Sequence, residues 1–174
     1  MIIREAKPEG LDEIMAFYEM MCRELDGAAF LPNGNKGGFP SLKMVTESIK
    51  NSCLYVGEEN GEIAAAYIMN NECDPAYDAV PRKVEADKEH ASVLHALRVA
   101  PKYGGRGYAG RLVEHAAETA RSKGRKAIRL DCLVENTIAH KLYLSHGFQI
   151  AGKTEIYYED IGERRKFLMF EREV

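Results

Sequence analysis

The stretch that most constrains this chain is residues 97–123, LRVAPKYGGRGYAGRLVEHAAETARSK. A short apolar run from Leu97 to Val99 reaches Pro101, crosses a cluster of glycines and opens directly into a segment with a helical apolar period. Strand, glycine turn and helix start, in that order, make an anion site. The first N–H groups of a helix have no internal partners, and the helix dipole favours negative charge there. Glycines at such a turn take positive φ without steric cost and let a phosphate approach the backbone.

The rest of the chain decides which anion. A single domain spanning 1–174 is expected, since 174 residues can bury a core without staples. The net charge of −3 argues against nucleic-acid partners, which need a basic excess. Four cysteines, Cys22, Cys53, Cys73 and Cys132, show neither a CxxC pair nor metal-ligand spacing, which points to a reduced, cytoplasmic protein. His90, His115, His140 and His146 form no ligand grouping. The opening MIIREAKPEG lacks the apolar core of a signal peptide, and the longest apolar run, residues 63–69, is too short to span a bilayer.

Residues 1–4 read as a strand. Ile14, Phe17, Tyr18, Met21, Cys22 and Leu25 recur at helical spacing and mark a helix that Gly27 stops. Residues 27–40, dense in Gly, Asn and Pro, are expected to form a loop whose Phe30, Leu31 and Phe39 cover something. Ser41 then suits a cap for a helix over 42–50. Residues 54–57 and 63–69 read as a hairpin, and 70–90 as a second long, charged loop. A strand beginning near Val93 leads into the glycine turn. The helix after it carries Leu112, Val113, Ala116, Ala117 and Ala120 on one face and stops at Gly124. Residues 127–132 follow as a strand. Residues 136–146 follow as a helix with Ile138, Ala139, Leu142 and Tyr143 inward, and 148–158 with 165–170 close the chain as a hairpin. This order predicts a mixed sheet in an α/β (α+β) layered fold.

Residues 105–110, GRGYAG, match the dinucleotide fingerprint GxGxxG, with Asp131 about twenty residues further on. Context sets that reading aside. Residues 100–104 separate the strand from the fingerprint, and one helix and one hairpin are too little for a doubly wound parallel sheet. The same residues resemble the GCN5-related N-acetyltransferase (GNAT) superfamily far better. Its pyrophosphate motif, Q/R-x-x-G-x-G/A after a strand ending V-x-P, maps onto Gly104-Gly105-Arg106-Gly107-Tyr108-Ala109 behind Val99-Ala100-Pro101. A second stretch, Asn136-Thr137-Ile138-Ala139-His140-Lys141-Leu142-Tyr143 closed by His146-Gly147-Phe148, resembles the family's N-x-x-A-x-x-L/F-Y…GF segment.

The resemblance implies a mostly antiparallel central sheet with helices on both faces and a splayed central strand pair. It implies acetyl-CoA as cofactor and direct acetyl transfer to a primary amine of a small molecule or peptide, with no protein nucleophile. Leu97 and Val99 would line the pantetheine arm, and a backbone N–H near Val99 would polarise the thioester carbonyl. Gly104, Gly105, Arg106, Gly107, Tyr108, Ala109 and Gly110 would cradle the pyrophosphate. The family's leading Q/R is Gly104 here, so that supporting side chain is missing, and Lys102, Arg106 and Arg111 are the cations at hand. Asn136 and Tyr143 stand two helical turns apart on one face. By resemblance Asn136 contacts the cofactor and Tyr143 protonates the departing thiolate. Each has a plainer alternative, a helix cap for Asn136 and a core aromatic for Tyr143.

His95 is the candidate base, because strict strand alternation puts it on the face of Leu97 and Val99, and a packing role is its alternative. Acceptors in the family enter opposite the cofactor, which here points to residues 27–40 and 70–90. Glu72, Asp74, Asp78, Glu85, Asp87 and Glu89 in the second loop favour a cationic amine. A non-catalytic acetyl-CoA-binding module of the same fold is the alternative from another functional class. No membrane partner is expected, and a homodimer is left open.

Overall fold

The computed structural model describes residues 1–30 and 38–174, so Leu31 of the first loop lies outside the described residues. Its strands are β1 (Ile2–Glu5), β2 (Leu54–Glu59), β3 (Glu62–Asn70), β4 (Ala91–Val99), β5 (Ala127–Leu133), β6 (Gln149–Tyr158) and β7 (Glu163–Glu173). Its helices are α1 (Leu11–Leu25), α2 (Leu42–Lys50), α3 (Tyr108–Ser122) and α4 (Thr137–Ser145). The strands form one sheet in the order β1-β2-β3-β4-β5-β7-β6. Every neighbouring pair is antiparallel except β4 with β5.

Local chemistry explains the element ends. Ser41 accepts a hydrogen bond from the Met44 N–H at 3.2 Å, capping α2 where a polar side chain replaces a missing helical partner. The β2–β3 hairpin turns at Asn60 and Gly61, with φ of 53° and 79°, the left-handed pair that a tight two-residue turn requires.

Helices cover both faces. On one, Ile14, Phe17, Tyr18 and Met21 of α1 and Val45 and Ile49 of α2 pack on Val56, Ala66 and Ile68. On the other, Leu112, Val113, Ala116, Ala117 and Ala120 of α3 pack on Tyr67, Leu94, Ile128 and Phe170, joined by Tyr143 of α4. Ile138 departs from the expected inward set. It is 81 % exposed, because the nine residues of α4 turn only Ala139, Leu142 and Tyr143 toward the sheet. Among the described residues no helix is long and apolar enough to cross a membrane.

The stretch between β3 and β4 is tied down rather than free. Tyr77 is buried in a short turn, Pro75–Ala79, which Asp74 caps through the Ala76 N–H at 2.8 Å. Further along, the buried carboxylate of Glu171 on β7 accepts hydrogen bonds from the Lys83 and Val84 N–H groups. The Arg129 guanidinium lies 3.9 Å from the same carboxylate and donates to Ala86 O at 2.8 Å. Removing the carboxylate strands two donors and a buried cation, which costs about 3–5 kcal/mol where one partner of a buried pair is lost. Glu171→Ala is therefore expected to lower the unfolding free energy in urea by about that amount. A loss below about 1 kcal/mol would show that this loop is held by other means.

Candidate active site

The site begins where two strands part. β4 and β5 pair only at Ala91↔Ala127, Ser92↔Ile128 and Val93↔Arg129. Past these residues β4 keeps β3 on one side and no strand on the other. The Ala100 N–H bonds Ala64 O at 2.8 Å on the β3 side. Strand alternation then turns the main-chain N–H and C=O of Val99 and Leu97 the other way, into the gap. A wedge of backbone without a strand partner results.

β4 also carries a bulge. Its pairing with β3 runs Ala66↔Arg98 and then Ile68↔His95, so Ala96 and Leu97 together oppose Tyr67. Ala96 sits at φ 48°, a left-handed conformation that costs an L residue energy. The Tyr18 hydroxyl of α1 donates to its carbonyl at 3.2 Å.

The bulge overturns one expectation from simple alternation. His95 shares the face of Ile68 and Arg98, toward α1, whereas Val99 shares the face of Ala65, toward α3. The His95 ring is held by Asn70, Nε2 to Oδ1 at 2.9 Å. Burial pushes its pKa down to about 4, so the ring is neutral at pH 7 and a poor proton acceptor.

At its end β4 runs through Pro101–Tyr103 into the glycine turn. Gly105 and Gly107 take φ of 73° and 72°, and Gly107 occupies the N-cap of α3 with no side-chain cap. A Cβ on either glycine would point into open space, so the concavity is formed by backbone. The N–H groups of Tyr108, Ala109 and Gly110 are therefore left for an external acceptor. Tyr108 offers only its backbone, because its side chain is buried and stacks on Tyr103. Lys102 is paired with Glu62 and Arg111 with Met1 O, while Arg106 lies over the Tyr103 ring.

Two polar side chains approach the gap from opposite faces. From the α4 side comes Tyr143, buried against Phe148 and Phe170, whose hydroxyl bonds no described residue. Burial pushes its pKa up, so it stays protonated. From the α1 side comes Asp131 of β5, which accepts hydrogen bonds from the Tyr77 and Tyr158 hydroxyls at 2.6 and 3.1 Å. Burial pushes the Asp131 carboxyl above its usual range and the two phenols pull it back. Asn136 caps α4, its Oδ1 accepting the Ala139 N–H at 3.2 Å, which leaves its amide NH2 free to donate.

The match with known proteins follows the same outline. The profile of the Acetyltransferase (GNAT) family fits residues 15–148. The chain belongs to that family. The acyl donor of that family is acetyl-CoA. An uncharacterized N-acetyltransferase, YesJ of Bacillus subtilis (strain 168), is 26% identical over 110 residues, which are 62% of this chain and 59% of YesJ. A GNAT-family acetyltransferase from Streptococcus pneumoniae superposes with a TM-score of 0.72 at 22% identity, covering 99% of both chains. Ribosomal-protein-alanine N-acetyltransferase from Brucella melitensis gives 0.73 at 18% identity over 100% of both chains. The yncA structure from Salmonella typhimurium, solved with acetyl-CoA, gives 0.70 at 16% identity over 99% of this chain and 93% of its own.

The residues present fit that donor. Free helix N–H groups suit a pyrophosphate, the β4 edge without a strand partner suits an amide-bearing arm, and the Tyr143 hydroxyl, without a partner among the described residues, is a donor for the sulfur end. The bulge and splay bring Val99, Tyr143 and Asp131 together and turn His95 aside. Sequence reasoning gave Asp131 no part in this chemistry. The available signal was a carboxylate alternating with apolar residues in AIRLDCL, a strand otherwise fit for burial.

The His95 pKa has a consequence for stability. Its folded value of about 4 lies below the ordinary 6.5, so between those values the unfolded chain binds a proton that the folded chain does not. Stability is thus lost as pH falls from 6.5 toward 4, with about 2 kcal/mol gone by pH 5. Urea midpoints at pH 7.5 and 5.0 should fall further apart in wild type than in His95→Gln. Equal losses in both proteins would contradict the assignment.

Proposed function

We propose that this chain is an acetyl-CoA-dependent N-acetyltransferase that moves the acetyl group directly to a primary amine of a small molecule or peptide. The observation that carries the reading is the Tyr143 hydroxyl, enclosed at the β4–β5 gap without a partner among the described residues and opposite the Asp131 carboxylate. Bound acetyl-CoA supplies an acyl thioester whose acetyl group passes to the amine as its thiol is released.

The α3 N–H groups beyond Gly107 hold phosphate oxygens, and the Asn136 amide adds a donor on the α4 side. The Val99 N–H, already facing the gap, hydrogen-bonds the acyl oxygen and favours negative charge developing there. Asp131 takes the proton that the amine loses. Its raised pKa brings it nearer the amine than an ordinary carboxylate, and the Tyr77 and Tyr158 hydroxyls keep the acceptor oxygen in place. Tyr143 donates to the departing sulfur. Because burial makes it a weaker acid, its main contribution is a hydrogen bond to the developing thiolate, with proton transfer completing late.

A covalent cysteine route is disfavoured by the same burial. The Cys132 thiol is pushed up to about 12, so almost no thiolate exists at pH 7. His95, neutral and bonded to Asn70, is assigned to holding the foot of the bulge.

Free-thiol release from acetyl-CoA, read with a thiol reagent against a panel of amines, tests the reading. Tyr143→Phe should lower kcat about 10- to 100-fold with little change in the affinity for CoA. An unchanged kcat would remove Tyr143 from the chemistry, and no release with any amine would favour a binding module.

A further inference from the structure

Arg98 is a cation at the gap with no ion-pair partner among the described residues. It opens the regular part of β4 after the bulge and faces α1, in register with Ala66. Its Nη1 donates to Leu97 O at 2.9 Å, and that carbonyl faces the gap, so the guanidinium lies along the unpaired edge. Its charge is felt by Tyr18 and Cys22 of α1, Cys132 of β5, Tyr143 of α4 and Asp160 in the β6–β7 turn. Groups on several elements around the gap therefore lie within reach of its charge.

The neighbouring guanidiniums are committed. Arg82 donates to Tyr77 O, Arg129 bonds Val84 O and Ala86 O beside Glu171, and Arg165 pairs with Glu135 and Glu163. Arg98 has no carboxylate within ion-pair distance among the described residues, and Asp160 acts on it only from further away. With one carbonyl partner among the described residues, this half-buried guanidinium keeps donors available for an incoming group, and its planar fork matches a carboxylate. Two of the six acidic residues that suggested a cationic acceptor act elsewhere, Asp74 capping a turn and Asp87 holding His90 at 2.7 Å.

We propose that the acceptor is an amino-acid-like molecule with a carboxylate close to its primary amine, and that Arg98 is the specificity residue that binds this carboxylate. Arg98 and Val99 are adjacent in β4, so a carboxylate on the guanidinium stands within a small molecule's length of the acyl-holding N–H. The inference rests on the acetyltransferase reading above.

The test compares matched pairs of amines: phenylalanine with phenethylamine, methionine with 3-(methylthio)propylamine, histidine with histamine and lysine with cadaverine. Thiol release from acetyl-CoA is the readout, and an amidated peptide is a further arm. For at least one pair, kcat/KM should favour the carboxylate-bearing member by ~10- to 100-fold, the worth of a charge-assisted hydrogen-bond pair. Arg98→Met should erase that ratio chiefly through KM, and Arg98→Lys should restore part of it. A CoA-induced melting shift in each variant establishes that it is folded. Turnover of decarboxylated amines or the amidated peptide at equal or higher kcat/KM would overturn the inference while leaving acetyl transfer intact. So would equal losses on both members of a pair in Arg98→Met. Absence of release with every amine would overturn both.

Discussion

The proposed chemistry depends on two parallel strands that stop pairing. After Val93 and Arg129 the β4 and β5 backbones diverge, and the N–H and C=O groups of Leu97 and Val99 lose the neighbour that a sheet would provide. Unpaired backbone buried in a core costs free energy. In the proposed reading an acyl donor would bond to that edge and offset this cost. The bulge at Ala96, tied to α1 by Tyr18, bends β4 away while leaving its pairing with β3 intact on either side.

The gap has two chemically different walls because the sheet has two faces. Asp131 and Arg98 project toward α1, and Tyr143 rises from α4 on the opposite layer. In the proposed reaction, proton removal from an incoming amine and hydrogen bonding to a leaving sulfur would thereby be separated across the sheet. The glycine turn fixes the third point. In the proposed reading its backbone donors would hold the far end of the acyl donor and so set how deep the acyl group reaches along β4.

Much of this was legible in the chain. Alternating and helical apolar periods located nearly all the elements, and Ser41, Asn60 and Gly61 marked their ends by ordinary capping and turn chemistry. Two motifs, residues 104–109 and 136–148, pointed to the family. The bulge was not legible. Ala96 is an unremarkable residue for a strand, and only the mismatch between the β3 and β4 registers reveals its positive φ. That single extra residue reversed the face of His95 relative to Val99. Asp131 and Arg98 were hidden for a related reason. Each reads as one charge within an apolar strand, and their convergence is created by the splay and by long-range contacts to Tyr77 and Tyr158. Ile138 failed in the other direction, since a short helix buries a narrower stripe than its apolar residues suggest.

The most direct test of this account is residue-resolved amide hydrogen exchange with and without saturating CoA. If the β4 edge and the α3 start hold the donor, the amides of Leu97, Val99 and Tyr108 to Gly110 should gain ~10-fold or more protection while those of the outer β6 strand stay unchanged. A Val99 amide that exchanges at the same rate in both states, with CoA demonstrably bound, would contradict it.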